Sequence, residues 1–179
     1  MRETVTAVTV SFFQRFNHLI GMAAESTATP PALTIDEAKL HLRVEDSAED
    51  ALILSLIVAA TAAAEHETGR KLVTQTWQAW LPGWPDAATI ALAQTPASAV
   101  VIKYDDPAGV QQTLPDADYV LIPGDVPAII RTSPAWPGVS SASPYPVRLT
   151  VTAGYGAAPN VPEPIRQWIK LRLGTMYMQ

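Results

Sequence analysis

The 179-residue chain contains no cysteine, so disulfides and thiolate metal sites are excluded, and an intracellular assembly environment is the natural setting. Charge is sparse as well: Asp, Glu, Lys and Arg make up 16% of the residues and leave a formal net charge of −5. That balance argues against tight, sequence-independent nucleic-acid binding, which needs many Lys and Arg contacts to phosphates. It does not prevent DNA from passing nearby, because a mildly negative wall repels a duplex and lets it slide. Histidine is scarce, and His18, His41 and His66 show neither H-x-x-x-H nor H-E-x-x-H spacing. G-x-S-x-G, P-loop and dinucleotide fingerprints are missing, and Gly154-Tyr155-Gly156 lacks the strand–glycine–helix setting of a phosphate cradle. The apolar run over residues 51–64 is short for a bilayer and flanked by acids, which argues against a membrane partner. No cofactor and no metal are expected.

What is present is a 48% apolar composition, enough for one domain with a real core. Sixteen prolines, nearly all from Pro82 onward, break the second half into short strands and loops.

Residues 33–72 organise the chain. Thr34 and Glu37 have capping-box spacing and start a short helix, with Leu40, His41 and Leu42 near its end. Asp46 and Ser47 are N-cap candidates for a second helix running from about Ala48 to Thr68, with Gly69 as its left-handed stop. Leu52, Ile53, Leu56, Ile57 and Ala60 form a buried stripe, yet Leu54, Val58, Ala59, Ala62, Ala63 and Ala64 cover much of the remaining circumference. A helix apolar on most sides must be covered on most sides, either inside a bundle or by a neighbouring subunit. Both readings stay open here.

From Leu72 the hydrophobic period switches to two. Residues 73–81, 89–93, 100–104, 110–114, 119–122, 128–131 and 147–153 read as strands, with Asp105 to Gly109 as a hairpin turn, and their spacing suits a small antiparallel sheet. Residues 133–146 form a Pro/Ser/Gly-rich loop long enough to be functional or mobile. Pro164 then opens a C-terminal helix with Ile165, Trp168, Ile169, Leu173 and Met176 on one face and Arg166, Lys170 and Arg172 elsewhere. Those cations form either a solvated face or a contact for an acidic partner or DNA. At the other end, Phe12, Phe13, Phe16, Leu19 and Ile20 share a face at helical spacing. That segment reads as a docking arm, a helix packed on its own domain, or residues ahead of a true start at Met22. The docking arm is favoured, because amphipathic termini bind grooves.

Two other chemistries have candidate residues in the sequence. Asp105, Asp106, Asp116 and Asp118 offer oxygen ligands to a hard cation in a small metal-dependent enzyme, but calcium-loop spacing is absent and Asp is ordinary in turns. Trp80 and Trp84, beside prolines at a strand end, are the expected exposed pair of an aromatic binding platform; Trp77 and Trp168 are expected in the core.

The residues alone therefore predict an α+β chain: a small helical bundle, made by the long central helix and the C-terminal helix, with an inserted antiparallel β region. Residues 1–32 form an amphipathic arm and linker. Residues 33–179 form one domain, divided into a helical hairpin (33–72), a β-rich insertion (73–153) and a C-terminal helix and tail (154–179).

Certain motifs also occur together in a fixed order. They are K-x-H-L-R-V from Lys39 to Val44, E-x-x-T-G-R-x-L from Glu65 to Leu72, Pro96 with Val100, the Y-D-D-x-x-G turn from Tyr104, and Tyr119. Trp136-Pro137, A-G-Y-G at Ala153 to Gly156 and V-P-x-x-I-R from Val161 to Arg166 complete the set. The ordered set resembles the head–tail connector (adaptor) proteins of long-tailed phages and phage-like gene-transfer particles. The resemblance implies a non-enzymatic protein assembled in the bacterial cytoplasm and placed in the neck of a particle. It would form a ring, usually of twelve copies, beneath a portal protein, extend the DNA channel and dock a stopper or tail-completion protein. On that reading Leu54, Val58, Ala59, Ala62 and Ala63 meet the next subunit. Phe12, Phe13, Phe16, Arg172, Met176, Tyr177 and Met178 would contact the portal or another partner, and Arg166 and Lys170 would supply channel-facing charge.

Overall fold

The computed structural model describes residues 29–123 and 127–178. Among these, three α-helices and seven strands form a helical part and a β part, the α+β architecture expected. Helix α1 (Ile35–Leu42) starts as its capping box dictates. The Thr34 hydroxyl accepts from the Glu37 N–H at 3.2 Å, and the Glu37 carboxylate accepts from the Thr34 N–H at 3.1 Å. Arg43 closes the helix in a left-handed conformation (φ 60°), letting Val44 N–H reach the Lys39 carbonyl.

Helix α2 (Asp50–Thr68) begins two residues later than the Asp46/Ser47 signal suggests. Asp46 Oδ1 accepts from Ala48 N–H and so folds the preceding turn rather than the helix end. Gly69 ends α2 at φ 64°, as its position predicts. Helix α3 (Glu163–Tyr177) carries proline in its first turn. All three helices pack on one another, and their core joins Ile53, Ile57 and Ala60 of α2 to Ile169 and Leu173 of α3 and Ala38 of α1. Each fully buried Ile or Leu is worth roughly 1.5–3 kcal/mol against exposure, so this core supplies the main stabilisation of the helical part. Leu52, expected in that core, is about half exposed on the far side of α2.

The strands make two sheets rather than one. In the first, β1 (Gln75–Leu81), β7 (Val147–Ala153), β3 (Ala97–Asp105) and β4 (Gln111–Thr113) lie in the order β1-β7-β3-β4. In the second, β2 (Thr89–Ala91), β6 (Ala128–Arg131) and β5 (Tyr119–Ile122) lie in the order β2-β6-β5. All pairings are antiparallel, and β7, last in sequence, is central in its sheet, with Leu149 opposite both Ala79 and Ile102. Strict alternation along β7 sends Val147, Leu149, Val151 and Ala153 inward. Three of these residues share one core with Ile102 of β3 and Ile90, Ile129 and Tyr119 of the other sheet. Two inward faces covering one another explain why a single sheet would not suffice.

Gly154 sits where the chain leaves the β part. A Cβ there would lie 2.6 Å from the Thr74 backbone, at a φ of 128° that side chains rarely adopt. The close approach lets Tyr155 N–H reach the Leu72 carbonyl and Thr74 N–H reach the Gly156 carbonyl. The A-G-Y-G run is thus a backbone clasp between the two ends of the β part.

Candidate functional site

Helix α2 turns one side to the core and leaves an apolar flank uncovered. Leu54 is 44% exposed and Val58 39% exposed, and Ala59 and Ala62 are also exposed, whereas Ala63 is half-buried. Leu54, Val58 and Ala62 follow one another at intervals of four and so form a single ridge along the helix. By length and composition alone α2 is also long enough to cross a membrane, although the apolar run within it spans only residues 51–64. Its packing gives the apolarity another use: Ile53 and Ile57 are fully buried between helices, and Thr61 and the ionisable Glu65 are buried as well.

On the other flank of α2 a groove of about 240 Å³ opens against α3. Its walls are Ala64, Glu67 and Thr68 from α2 and Pro164, Ile165 and Trp168 from α3. Trp168, expected in the core, is instead 41% exposed at the rim. Its position on α3, one residue before the fully buried Ile169, turns it toward the edge of the contact.

The cations of α3 are used differently from the sequence expectation. Arg166 is turned inward, its side chain 12% exposed, and bridges Glu37 of α1 and Glu163 of its own helix. Lys170 leans on the same Glu163 at 3.8 Å. Arg166 is drawn into the α1–α3 contact and Lys170 pairs within α3, so both cations lie beside carboxylates rather than standing free. Burial pushes the Glu37 carboxyl up, but the Thr34 N–H and the Arg166 guanidinium outweigh it and hold the group below the ordinary carboxylate range. Arg172 and Met178 are exposed, whereas Met176 and Tyr177 are half-buried against the helical core. The Tyr177 hydroxyl donates to Glu49 at the start of α2, a bond that raises its pKa above the ordinary tyrosine value. Phe12, Phe13 and Phe16 lie outside the described residues.

Three of the four candidate aspartates of the β part have a structural task. Asp105 receives both terminal nitrogens of Arg148, at 2.8 and 3.0 Å. Asp106 closes the β3–β4 hairpin by accepting from Val110 N–H, Ala108 N–H and the Gln112 amide, and these bonds, Val110 foremost, hold its carboxyl below the usual range. Asp116 accepts from the Tyr119 hydroxyl at 2.9 Å. Among the described residues no group of three or more His, Cys, Asp or Glu side chains is placed to hold a metal ion.

Trp80 and Trp84 do not form an exposed pair. Both are half-buried, and Trp84 stacks on Trp136 with ring centres 4.6 Å apart and planes 6° from parallel. Trp84 Nε1 donates to the Pro137 carbonyl, so this stack helps to tie the 133–146 segment to the β part. Ser140 N–H donates to the Asp105 carbonyl and Asp105 N–H to the Pro146 carbonyl, fastening the rest of the segment. A stack whose faces are already filled offers no platform to a ligand.

Three exposed apolar features were missed in the sequence. Leu40 of α1 and Leu171 of α3 point outward, at 82% and 66% exposure. Val120, Ile122 and Ile130 form a patch on the second sheet, Val120 lying directly opposite Ile130. For Leu171 a signal existed, since Trp168, Leu171 and Met178 make a second apolar line at spacings of three and seven.

Comparison with known proteins agrees with this architecture. Residues 32–115 match the family described as phage gp6-like head-tail connector protein. The fold is similar to a chain in the neck of an empty gene transfer agent particle computed with C6 symmetry. That chain is 28% identical, the match covers 88% of this chain and 85% of that one, and the TM-score is 0.76. A chain in the virion of the native gene transfer agent particle gives the same figures of 28%, 88%, 85% and 0.76. A chain in the native neck computed with C12 symmetry is 27% identical over 88% of this chain and 84% of that one, with a TM-score of 0.74. No curated protein matches significantly. Together the family match and the neck structures support the phage head–tail connector family for this chain, a structural family and not a class of enzymes.

Proposed function

We propose that this chain is a subunit of a head–tail connector ring in the neck of a phage or gene-transfer particle. Copies associate side by side through the exposed ridge of α2, and the ring sits beneath a portal protein, continues the DNA channel and receives the next tail component. The observation that carries the reading is that ridge: Leu54 and Val58, exposed beside Ala59 and Ala62, in a fold similar to chains of symmetric particle necks. A neutral apolar line on an otherwise stable helix is the chemistry of a subunit contact. Arg172 and Leu171, exposed on α3, and Met178 just after it are the proposed portal-facing residues, and residues 1–24 are a proposed docking arm. DNA passes without sequence-specific contacts, in keeping with the net charge of −5.

The test is assembly. Purified protein, alone and with a cognate portal, is examined by light scattering and negative-stain imaging, beside Leu54→Asp and Val58→Asp. Wild type should give rings, and each variant should remain monomeric with an unchanged circular-dichroism spectrum. No ring in any condition, portal included, sinks the reading.

A further inference from the structure

We infer that the α2–α3 groove bordered by Trp168 receives the Leu54–Val58–Ala62 ridge of a second copy of this chain, giving a head-to-tail contact. The inference rests on the connector reading and names the other half of its interface.

The geometry of α2 supplies the first argument. Glu67 in the groove wall follows Val58 on the ridge by nine residues, which at 3.6 residues per turn is two and a half turns. Ala64 and Thr68, six and ten residues after Val58, lie about 120° and about 80° round the helix from it, so ridge and groove occupy different faces of the same rigid helix, and one chain cannot bring its own ridge into its own groove. A neighbour can, and it leaves a free ridge on one end and a free groove on the other. Such heterologous contacts build closed rings when the rotation between subunits closes, whereas a self-complementary patch stops at a dimer. The similar neck particles have C6 and C12 symmetry, which belongs to the first kind of assembly.

Size and chemistry fit as well. The groove floor includes Ala64 and Thr68, which allow a facing helix close approach, and Trp168 and Ile165 provide apolar walls. A space of about 240 Å³ suits one or two aliphatic side chains of the size of Leu and Val. An aromatic at the edge of such a pocket is the residue type that most often anchors an interface.

The chain has no cysteine, so engineered cysteines report the contact without background. Val58→Cys, Glu67→Cys and the double variant are assembled under ring-forming conditions and treated with a short bis-maleimide. The double variant should yield a ladder of covalent oligomers, an equal mixture of the single variants should stop at dimers, and each single variant alone should not link. As a second measurement, Trp168→Ala mixed with Val58→Asp should form one-to-one pairs but no rings, since one supplies the ridge and the other the groove. Dimers from Val58→Cys alone show a self-complementary contact and overturn the inference. Rings that form without the ladder overturn the pairing but leave the connector reading standing. Linkage of Val58→Cys to a Phe16→Cys of the same chain assigns the ridge to the N-terminal segment and also overturns it. Failure to form rings even with portal removes the connector reading and this inference together.

Discussion

Leu72 donates its backbone N–H to Glu65 Oε1 at 2.9 Å, across the turn that ends α2. The same buried carboxylate accepts from the Gln75 amide at 2.9 Å and from Lys71 Nζ at 3.0 Å. One side chain on the last turns of α2 thereby fixes the exit of the helix and the entry of β1. Lys71 lies over the Trp77 ring at 4.3 Å and ties a further β1 residue to the same point. Since α2 carries the proposed contact ridge and groove, this junction sets how the β part is held relative to them.

Removing the carboxylate should therefore be costly. Glu65→Ala leaves a buried N–H, an amide and an ammonium without their acceptor, and a loss of about 3–5 kcal/mol is expected. Glu65→Gln keeps an oxygen for Leu72 but gives up the ion pair, and about 1–2 kcal/mol is expected. Urea denaturation followed by far-ultraviolet circular dichroism measures both. A Glu65→Ala cost below about 1 kcal/mol would show that the junction is held by something else.

Alkaline pH probes the β core through Tyr119. Its single hydroxyl proton is shared between the Val100 carbonyl at 3.0 Å and Asp116 at 2.9 Å. Burial, and then the Asp116 carboxylate, push its pKa up to about 12. The unfolded chain releases this proton near pH 10, as ordinary tyrosine does. The folded-state value is raised, so the stabilising contribution is complete below about pH 10 and is lost as pH climbs toward 12. Urea midpoints measured from pH 8 to 12 should fall more steeply for wild type than for Tyr119→Phe above pH 10. Parallel curves would refute the assignment.

The stacked pair predicts an optical signature. Trp84 and Trp136 lie close enough, and near enough to parallel, for their transitions to couple, and Arg131 covers the outer face of Trp136 at 5.5 Å. Trp84→Phe and Trp136→Phe should each remove the same near-ultraviolet circular-dichroism band. Trp136→Ala should in addition expose the 133–146 segment to limited proteolysis while the helices stay protected. Resistance equal to wild type would mean that the Ser140 and Pro146 backbone bonds hold the segment alone.

Features specified by neighbours in sequence were the legible ones. The Thr34–Glu37 capping box, the Gly69 stop and the strands over 119–122, 128–131 and 147–153 all rest on local chemistry and stand where their residues indicate. All-round apolarity announced that α2 has a second covered or contacting side, but periodicity could not say which flank the bundle would leave open. Partners far along the chain decided the rest. Arg166 reads as a surface cation until Glu37, 129 residues away, is brought beside it. Trp84 reads as exposed until Pro137, 53 residues later, supplies its acceptor. The central place of β7 likewise depends on pairing with a strand more than sixty residues earlier, which no local pattern encodes. The aspartates are ambiguous in the sequence for a related reason, since the same residue type serves turns, ion pairs and metals, and only the position of Arg148 separates these uses for Asp105.

The clasp at Gly154 gives a sharp contrast between two glycines. At Gly154 an added Cβ meets the Thr74 and Val73 backbone at 2.6 Å, and φ is 128°, so both space and conformation oppose any side chain. At Gly83 an added Cβ meets nothing within 4 Å. Gly154→Ala must push apart the strand ends joined by the Tyr155–Leu72 and Thr74–Gly156 bonds, and a loss of about 2–4 kcal/mol is expected. Gly83→Ala should stay within about 0.5 kcal/mol of wild type. Because the clasp joins β1 to the segment that leads into α3, Gly154→Ala should also weaken ring assembly, and lowering the temperature should restore it in step with folding. Equal thermal midpoints for the two variants would show that the backbone approach at Gly154 is not required. A Gly154→Ala protein as stable as wild type but unable to assemble would instead place Gly154 in the subunit contact itself.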